Sequence, residues 1–494
     1  MPRHGGARKR VAAPAARLPD PGGRRHDRHH APGRTAMNDD ARPDYDLAVV
    51  GAGPAGQAAC LALPDGPRIV VIDEQLRPGG QILRQPPRAF SVRGWLEGAE
   101  YRRLKARLAA FESLESVEWR GGCSVLGARE AGEGWRLALS DGGGVREVTA
   151  RRVLIATGCY DMAVPLPGWT LPGAMSAGGV QAFVKSQMLA PGHRIAFAGS
   201  HPLQLLAADQ LRKAGGTVAA VAFSQPFRRF VLKALGRPWT ALTNLPRLMS
   251  VLLMGWRLRA AGVPIHFGRA PTAVEGRDRV QGLRLEDGAV VACDAAAFCF
   301  GFLPQSDLPR AMGLAVRPAR PGGWKACHDA WMRASRPGAY VAGETTGVKG
   351  ADAAAAEGAL AGLAVAVDMG VLPLREAVRR AAPVRRARAR ALRFAALLEA
   401  VADPGPLPDR DLPADTIVCR CEDVTMGDMR AALAIGADAG GVKLATRCGM
   451  GVCQGRNCEH GLLALLGDVS TEPHGFTPRF PARPIRIGDL LAED

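Results

Sequence analysis

The sequence of 494 residues contains no run of about 18 apolar residues, so no transmembrane helix is expected. It also lacks a secretory signal, because residues 1–36 contain neither an apolar segment nor a cleavage site of small residues. Without such a signal, the 11 cysteines are expected in a reducing compartment, in metal-binding or packing roles rather than in disulfides. We therefore expect a cytoplasmic protein whose only membrane association would be a peripheral contact.

Two cysteine pairs used by disulfide reductases are also missing. Residues 78–83 read Pro-Gly-Gly-Gln-Ile-Leu, where such enzymes carry a Cys-x4-Cys pair soon after the first nucleotide fold. A Cys-x2-Cys pair is likewise absent from the second nucleotide fold. Disulfide reduction is therefore not expected. Nor does the sequence offer an acid–base pair or a nucleophile to which a catalytic role can be assigned, so the catalytic residues stay unknown.

Acidic residues are scarce in two segments, and this explains most of the net charge of +17. Residues 1–36 hold nine Lys or Arg against two Asp, and residues 375–393 hold eight Arg against one Glu. The rest of the chain is close to neutral, so no nucleic-acid partner is expected. We predict a disordered basic segment over residues 1–43, and an Arg-rich solvated helix with a Pro-rich linker over residues 371–412.

A dinucleotide-binding signature follows the first apolar run. Residues 45–50 predict a strand, and the signature Gly51-Ala52-Gly53-Pro54-Ala55-Gly56 leads from it into a helix. Gly51 would allow the tight turn, Gly53 would let the backbone approach a pyrophosphate, and Gly56 would let the helix pack closely on the sheet. The free N–H groups of the helix N-terminus would face the phosphates.

The strand after this helix ends in two acidic residues. Residues 68–72 predict the strand, and Asp73, 22 residues after Gly51, is placed to accept a hydrogen bond from a ribose hydroxyl. Glu74 is the neighbouring candidate. Further strands at residues 152–155 and 339–342 indicate that the chain leaves this fold, builds a second one and returns to complete the first.

The second nucleotide fold has a damaged signature. A strand over residues 194–198 leads into Gly199-Ser200-His201-Pro202, so that His201 stands where the second glycine is expected. A side chain at that position obstructs a pyrophosphate, and the next strand, residues 217–223, does not end in an acidic residue. A purely structural fold is favoured and NAD(P) is a doubtful cofactor, although Arg228 and Arg229 would suit a 2′-phosphate.

Apolar and basic residues alternate over residues 226–259. Trp239, Leu242, Leu245 and Trp256 belong to a series at near-helical spacing. The simpler interpretation is an insertion whose apolar face packs on its own domain. The alternative is a helix that contacts a membrane surface or a partner.

Four cysteines near the C-terminus form two close pairs. Cys419-x-Cys421 is followed, after 31 residues, by Cys453-x4-Cys458. Four thiolates suit zinc or an iron–sulfur cluster, but zinc fingers usually contain Cys-x2-Cys, and a flavin-type partner domain favours a redox metal. The residues therefore predict a [2Fe–2S] cluster, with Cys448 as a fifth cysteine that leaves the choice of ligands open by one.

These motifs resemble the FAD-containing subunits of bacterial opine oxidase, hydrogen cyanide synthase and D-hydroxyproline dehydrogenase. The sarcosine oxidase alpha subunit is a more distant relative. The resemblance covers roughly residues 44–465. It is carried by Asp73-Glu74-Gln75, Gly79-Gly80-Gln81, Ala156-Thr157-Gly158, the run Pro167-Gly168-Trp169-Thr170-Leu171-Pro172-Gly173, Gly343-Glu344, Gly350-Ala351, Glu357-Gly358 and the terminal cysteine motif.

The resemblance implies a fold and two cofactors. The fold is α/β, a two-dinucleotide-binding-domain flavoprotein of the pyridine nucleotide-disulfide oxidoreductase type with a small C-terminal α+β domain like bacterioferritin-associated ferredoxin. FAD would occupy the first nucleotide fold, and a [2Fe–2S] cluster the C-terminal domain. The implied boundaries are residues 44–170 with 300–370 for the FAD domain, 171–299 for the NAD(P)-binding-like domain, 413–470 for the cluster domain and 471–494 for a tail.

The resemblance also implies site residues. Glu344 would lie near the ribityl chain of the flavin, and the helix that begins near Gly350 would direct its N-terminus at the isoalloxazine. Relatives often lack a cysteine at position 448, which supports the other four as cluster ligands, and they commonly keep a glycine where this chain has His201. The implied cofactor-binding residues are Gly51, Gly53, Gly56, Asp73, Glu74, Gly80, Gln81, Thr157, Gly158, Gly343, Glu344 and Gly350, and the implied cluster ligands are Cys419, Cys421, Cys453 and Cys458.

In such complexes a separate amino-acid-oxidase-like beta subunit oxidises the amine, and the alpha-like chain relays the electrons. We therefore predict an FAD- and [2Fe–2S]-dependent oxidoreductase, the electron-transfer subunit of an opine- or amino-acid-type dehydrogenase or oxidase complex. Its implied partners are a small ferredoxin-like subunit together with that beta subunit. Two alternatives stay open: a self-sufficient NAD(P)H-dependent reductase that uses its own cluster, and a non-catalytic iron–sulfur binding module.

Overall fold

The computed structural model describes residues 42–90, 92, 96, 98–405, 412–467 and 475–491. The predicted basic segment lies outside the described residues up to residue 41. Residues 406–411 of the predicted linker, and residues 471–474 and 492–494 of the predicted tail, also lie outside them.

The first nucleotide fold begins with buried apolar strands joined by helices. Residues 47–50 of the first strand and 69–72 of the second are buried, as expected for parallel strands that helices cover on both faces. A three-stranded antiparallel meander follows them. The elements are β1 (Tyr45–Val50), α1 (Pro54–Ala62), β2 (Ile69–Asp73), α2 (Ala99–Glu112), β3 (Val117–Gly121), β4 (Ser124–Ala131), β5 (Gly134–Ser140) and β6 (Val145–Ile155).

A short connection leads from β6 to the second fold. It ends in a π-helix, Phe183–Gln187, which continues directly from the preceding α-helix. Ser176 caps that α-helix by accepting a hydrogen bond from the backbone N–H of Gly179. The elements are β7 (Cys159–Asp161), β8 (Ala174–Ser176) and α3 (Ala177–Ala182).

The second nucleotide fold contains a five-stranded parallel sheet in the order β11-β10-β9-β15-β8, with a separate antiparallel meander β12-β13-β14. Three helices lie between the third and fourth of these strands in chain order. The elements are β9 (Arg194–Gly199), α4 (Leu203–Lys213), β10 (Thr217–Phe223), α5 (Phe227–Leu235), α6 (Pro238–Thr243), α7 (Leu245–Ala260), β11 (Ile265–Phe267), β12 (Pro271–Glu275), β13 (Gly282–Leu285), β14 (Val290–Ala292) and β15 (Ala295–Cys299).

The chain then returns to complete the first fold. Strand β19 pairs in parallel with β6, so the parallel part of the first sheet has the order β3-β2-β1-β6-β19. A 3₁₀ turn, Gly343–Thr346, follows β19 and precedes two long helices. The elements are β16 (Phe302–Pro304), α8 (Asp307–Ala311), β17 (Val316–Pro318), β18 (Trp324–Ala326), β19 (Ala339–Val341), α9 (Ala351–Asp368) and α10 (Leu374–Ala402).

The C-terminal domain is a small two-stranded sheet with short helices around the cysteines. Its core contains Cys419, Cys448 and Cys458 together with apolar side chains such as Met429 and Leu462. The elements are β20 (Ile417–Cys419), β21 (Val424–Thr425), α11 (Met426–Ala434), α12 (Ala439–Thr446) and α13 (Glu459–Leu465). A last helix, α14 (Ile487–Leu491), belongs to the C-terminal segment, which packs on the first fold.

The predicted α/β fold class with two nucleotide-type folds is confirmed. Separate apolar clusters cover both faces of each main sheet. The simpler interpretation of residues 226–259 is wrong for much of that segment. Met254 and Leu258 pack inward, but Trp239 is 78% exposed and Trp256 is 67% exposed.

Candidate functional site

A cavity of about 390 Å³ lies at the carboxyl ends of the first sheet. This is where parallel α/β sheets bind ligands, because the strand-to-helix turns open there. Eleven of the twelve cofactor-binding residues predicted from the sequence line the cavity. They are Gly51, Gly53, Asp73, Glu74, Gly80, Gln81, Thr157, Gly158, Gly343, Glu344 and Gly350.

Gly56, the twelfth residue, packs the first helix. A Cβ atom on Gly56 would lie 2.0 Å from the carbonyl oxygen of Gly51. On the other side of the helix, a Cβ atom on Gly358 of α9 would lie 2.0 Å from the carbonyl oxygen of Ala55. Both glycines bring backbone close to backbone, so Gly56 positions the glycine turn without lining the cavity.

The glycine turn leaves room for a ligand at one residue in particular. A Cβ atom on Gly53 would meet only the Cα of Gly80, at 3.7 Å, and the φ of −74° at Gly53 suits any residue. Packing within the protein therefore does not require a glycine there. Gly80 is different, because it has φ +60° and a Cβ on it would lie 2.7 Å from the Cα of Gly53.

The two acidic residues after β2 already have partners. The Asp73 carboxylate accepts hydrogen bonds from the backbone N–H groups of Ala52 (2.7 Å) and Gln75 (2.8 Å). Burial nevertheless raises the pKa of Asp73. Glu74 forms an ion pair with Arg483, at 2.6 Å between Oε1 and Nε. Asp73 therefore holds the glycine turn in place, and Glu74 ties the C-terminal segment to the rim of the cavity.

Hydrogen bonds fix the turns at the other end of the cavity. The carboxylate of Glu344 accepts from the thiol of Cys159 (2.7 Å) and from the backbone N–H of Gly350 (3.1 Å). The amide of Gln81 donates to the carbonyl of Cys159 at 2.5 Å. Burial, with Glu344 beside it, raises the pKa of the Cys159 thiol well above its ordinary value, so this cysteine stays protonated.

A buried ionic cluster supports these turns from behind. Glu357 of α9 is fully buried and forms ion pairs with Lys349 (2.9 Å) and Arg388 (2.8 Å). It also accepts hydrogen bonds from Thr346 Oγ1 (2.7 Å) and from the backbone N–H of Gly343 (3.1 Å). Burial acts to raise the pKa of Glu357, but these partners outweigh it and hold the pKa below its usual value.

The cavity is also lined by basic residues that the sequence analysis did not identify. Lys185, on the π-helix, is 4% exposed, and burial lowers its pKa to about 8. Arg84 and Arg483 line the cavity as well, and burial lowers the pKa of each. No local motif marks Lys185 or Arg483, because the connection after β8 and the C-terminal segment reach the cavity only in the folded chain.

The corresponding crevice of the second nucleotide fold is filled by the end of α10. Ser200 Oγ donates to the carbonyl of Ala402 at 2.7 Å. The Gln225 amide donates to the carbonyls of Ser200 (3.1 Å), Val401 (3.1 Å) and Asp403 (3.3 Å). Residues 401–403 therefore lie across the turn where a pyrophosphate would bind.

His201 and Arg229 each have a partner within the protein, whereas Arg228 has no structural role in the contacts of the described residues. The His201 ring packs edge-on against Phe302, with ring centroids 5.2 Å apart, and its Nδ1 accepts from the N–H of Leu203 at 3.1 Å. Both rings line the cavity of the first fold. Burial lowers the pKa of His201 to about 4. Arg229 forms an ion pair with Asp403 at 3.0 Å, and Arg228 is exposed.

All five cysteines of the C-terminal domain converge. The sulfur atoms of Cys419, Cys448 and Cys458 lie within 4.8 Å of one another and are buried. Cys421 and Cys453 are half-buried and share a hydrogen bond. Hydrogen bonds from Cys448 and Cys458 lower the pKa of Cys419. The thiols thus form a buried trio that includes Cys448, beside a half-buried pair.

Two family models match the chain. The model described as pyridine nucleotide-disulphide oxidoreductase matches residues 45–358, and the BFD-like [2Fe-2S] binding domain matches residues 417–468. The chain belongs to the pyridine nucleotide-disulphide oxidoreductase family. It is an FAD-dependent oxidoreductase with a [2Fe–2S] domain at its C-terminal end.

Curated relatives match nearly the whole chain. A subunit of opine oxidase from Rhizobium meliloti is 36% identical over 90% of this chain and 98% of its own length. Hydrogen cyanide synthase subunit HcnB of Pseudomonas aeruginosa is 34% identical over 88% of this chain and 96% of its own length. Both are named as subunits, so the chain is related to components of multi-subunit oxidoreductases.

A solved structure shares the fold. The L-proline dehydrogenase from P. horikoshii aligns with a TM-score of 0.66 at 21% identity, over 90% of this chain and 79% of that one. No helix among the described residues is long and apolar enough to span a membrane.

The residues present fit both cofactors that this oxidoreductase family implies. The open space at Gly53, the glycine turns at both ends of the cavity, and the cations Arg84 and Lys185 suit a long ligand with a pyrophosphate. The buried trio of Cys419, Cys448 and Cys458, with the pair of Cys421 and Cys453 beside it, supplies the sulfur donors that an iron–sulfur cluster needs.

The cluster domain of this oxidoreductase contacts the side of the first fold where the cavity lies. Arg456 pairs at 2.7 Å with Asp307, which itself lines the cavity. The indole N–H of Trp169, within the Pro167–Gly173 motif, donates to the carbonyl of Ile417 at 2.6 Å. His460 forms a further hydrogen bond with the carbonyl of Ala163 at 2.6 Å. The motif that carried much of the resemblance therefore holds the cluster domain.

Proposed function

We propose that this chain is the electron-transfer subunit of a heteromeric opine- or amino-acid-type dehydrogenase or oxidase. An amino-acid-oxidase-like partner would oxidise the amine, and this chain would take up the electrons. The observation that carries the proposal is the contrast between an open first crevice beside the cluster domain and a second crevice filled by residues 401–403. The similarity to a subunit of opine oxidase supports the class of substrate.

We assign FAD to the cavity of the first fold. Gly51, Gly53 and Gly80 would admit the pyrophosphate, Glu74 would face the ribose, and Gly158 and Gly350 would bound the far end. Cys419, Cys421, Cys453 and Cys458 would hold the [2Fe–2S] cluster, with Cys448 as a buried neighbour. When bound, the flavin exchanges two electrons and the cluster exchanges one, so the pair can connect an amine oxidation to a one-electron acceptor.

The chain's own residues would position and shield these groups. The Glu357 cluster holds the turn at Gly343 to Gly350, Asp73 holds the glycine turn, and Arg483 closes the rim through Glu74. Among the residues that the structure describes, we find none that we can assign to proton abstraction from an amine. That step belongs to the proposed partner. A cytoplasmic location and a small ferredoxin-like subunit complete the proposal.

The self-sufficient NAD(P)H-dependent reductase is the second candidate, and it needs a nucleotide in the second crevice. The backbone favours it, because β9, α4 and β10 form the expected strand–helix–strand unit. The side chains do not, since Gln225 and Ser200 tie residues 401–403 across that turn. A non-catalytic iron–sulfur module is disfavoured by the open, glycine-lined first cavity.

Anaerobic absorbance titration of the purified holoprotein separates these candidates. We expect the flavin to stay oxidised with NADH and with NADPH and to be reduced by dithionite. We then expect reduction by an opine or amino acid once the amino-acid-oxidase-like subunit is added. Rapid bleaching by NADH or NADPH alone would favour the reductase, and a protein purified without flavin would favour the non-catalytic module.

A further inference from the structure

The helices between β10 and β11 turn apolar side chains towards solvent. We call the outward apolar side chains of α5, α6 and α7, within residues 227–260, the apolar face. On α5 this face includes Leu232 (63% exposed) and Leu235 (68%), and on α6 it includes Trp239 (78%) and Leu242 (61%). Isolated exposed apolar residues are ordinary, but a contiguous set of this size marks an interaction surface.

Helix α7 has two apolar sides, of which one packs on the protein and the other belongs to the apolar face. Met254 and Leu258 point inward and are buried, and they supply the packed side of the helix. Leu245, Met249 and Leu252 lie on the opposite side at spacings of four and three residues, and all are about half exposed. A helix that is apolar on both sides is normally buried on both, so the second side calls for a second covering.

The charges of the segment have one sign. Residues 226–260 contain seven Lys or Arg and no Asp or Glu. Three of these arginines fix the segment to the rest of the molecule, since Arg229 pairs with Asp403, Arg247 with Asp352, and Arg257 with Asp209. Others stay exposed among the apolar side chains, including Arg228, Lys233 and Arg237. The covering surface should therefore be apolar and negatively charged.

We propose that the apolar face docks this protein on an anionic lipid surface. Short helices with Trp, Phe and Leu on one side and basic residues around them bind at the boundary between headgroups and acyl chains. The two tryptophans fit that boundary, because the indole ring is apolar and its N–H is polar. Basic side chains at the same surface gain from the negative potential of anionic lipids.

The position of the face gives the docking a consequence for the redox site. Arg247 of α7 pairs with Asp352, two residues after Gly350, and Gly350 lines the cavity. Leu398 of α10 also lines the cavity, and α10 packs against α5 and α6. A membrane under the apolar face would lie beside the cavity, so an acceptor dissolved in the lipid could approach the redox site.

Vesicle sedimentation of the purified full-length holoprotein tests the proposal. We expect binding to vesicles of phosphatidylcholine mixed with phosphatidylglycerol, and much weaker binding to phosphatidylcholine alone. Trp239→Ala with Trp256→Ala should weaken binding by at least about tenfold, because two large apolar side chains are lost from the interface. Arg228→Ala should weaken binding to the anionic vesicles by about fivefold, and the effect should shrink as salt is raised.

Leu444→Ala is the matched control, because Leu444 of α12 is 78% exposed, as Trp239 is, but lies in the cluster domain. It should bind vesicles as the unchanged protein does. Brominated lipid should quench part of the tryptophan fluorescence of the unchanged protein, and the double tryptophan variant should lose that quenching. This readout does not depend on enzyme activity.

Three results would overturn the proposal. One is the absence of sedimentation with anionic vesicles, or binding that the double variant leaves unchanged. Another is self-association of the protein that the double variant abolishes, which would make the face an interface between copies. The third is a complex with the amino-acid-oxidase-like subunit that fails to bind vesicles and shields residues 227–260 from hydrogen exchange, which would make the face a subunit interface.

Discussion

The two nucleotide folds of this chain share a strand–turn–helix–strand backbone but differ in what occupies the turn. In the first fold, the turn at Gly51 to Gly56 opens onto a cavity of about 390 Å³. In the second fold, the turn at Gly199 to Leu203 is covered by residues 401–403, held there by Ser200 and Gln225. One backbone plan thus gives a ligand site in one place and a packing surface in the other.

The difference shows that ligand binding by a nucleotide fold depends on which segments of the chain pack against its glycine turn, as well as on the glycines themselves. The segment that fills the second crevice comes about 200 residues later in the chain, at the end of α10. His201 does not close this crevice, because its ring packs against Phe302 and both line the first cavity. Reopening this crevice would therefore need more than the return of a glycine at position 201.

The largest expected effect comes from filling the first crevice with a side chain. Gly53→Val should abolish flavin retention, because the new side chain would occupy the space that Gly53 leaves for a pyrophosphate. The fold should survive, since a Cβ atom there meets no protein atom closer than 3.7 Å. Flavin absorbance per mole of purified protein measures the loss, and circular dichroism checks the fold.

Gly255→Val is the control for this variant. Gly255 also has no protein atom within 4 Å of a Cβ atom and lies on α7, outside the cavity. It should retain full flavin content. Stoichiometric flavin in Gly53→Val would mean that the cofactor does not approach this turn, and the contrast between the two crevices would lose its functional meaning.

The next effect tests which cysteines bind the cluster that lies beside the first crevice. Cys421→Ser should remove the electron paramagnetic resonance signal of the reduced cluster, because Cys421, in the half-buried pair, is one of the four proposed ligands. Flavin should stay bound, because Cys421 does not line the cavity. Cys448→Ser, the matched control in the buried trio, should keep the signal. The opposite pattern would place Cys448 among the ligands.

A smaller effect concerns the protonation of His201, which lies on the turn of the second fold and lines the first cavity. Burial lowers the pKa of His201 to about 4, whereas an unfolded histidine titrates near 6.5. The unfolded chain therefore binds a proton that the folded chain refuses as pH falls below about 6.5. His201 should cost about 2 kcal/mol of unfolding free energy at pH 5 relative to pH 7, and the loss should level off below about pH 4.

Urea unfolding of His201→Gln and of the unchanged protein, each at pH 7 and pH 5, measures this loss of unfolding free energy. The variant keeps a polar side chain but does not titrate, so its stability should fall less between pH 7 and pH 5. Equal pH dependence of the two proteins would show that the ring is not shielded from water, which would reach it from the first cavity that His201 lines.

The sequence could predict elements whose signals are local. The strand at residues 45–50, the turn at Gly51 and Gly53 and the acidic end of β2 all follow from patterns within about 30 residues, and the structure has a strand at Tyr45–Val50. The convergence of Cys448 with Cys419 and Cys458, and the outward turn of Trp239, depend on how distant helices pack. No spacing rule expresses that packing.

The same limit explains the site residues that sequence reasoning missed. Lys185 stands in an otherwise unremarkable connection, and Arg483 stands in a segment that was predicted only as a tail. Both line the cavity because their segments fold back over the first sheet. Residues 401–403 reach the second crevice in the same way, through the length of α10 rather than through any motif of their own.

The smallest expected effect tests that last contact directly. Ser200 is fully buried, and its Oγ donates to the carbonyl oxygen of Ala402 at 2.7 Å and lies 3.2 Å from the carbonyl oxygen of Phe300. Ser200→Ala should lower the unfolding free energy by about 1 kcal/mol, because it leaves a helix-end carbonyl without its donor. Ser113→Ala is the control: Ser113 also donates to a carbonyl, that of Ala110 at 2.8 Å, but in an exposed position, so its loss should stay within about 0.5 kcal/mol.

The Ser200 variant should still not bind NADH, because Gln225 continues to hold Val401 and Asp403 across the turn. If removing this one hydroxyl let NADH reduce the flavin, the second crevice would be a gated nucleotide site and not a packing surface.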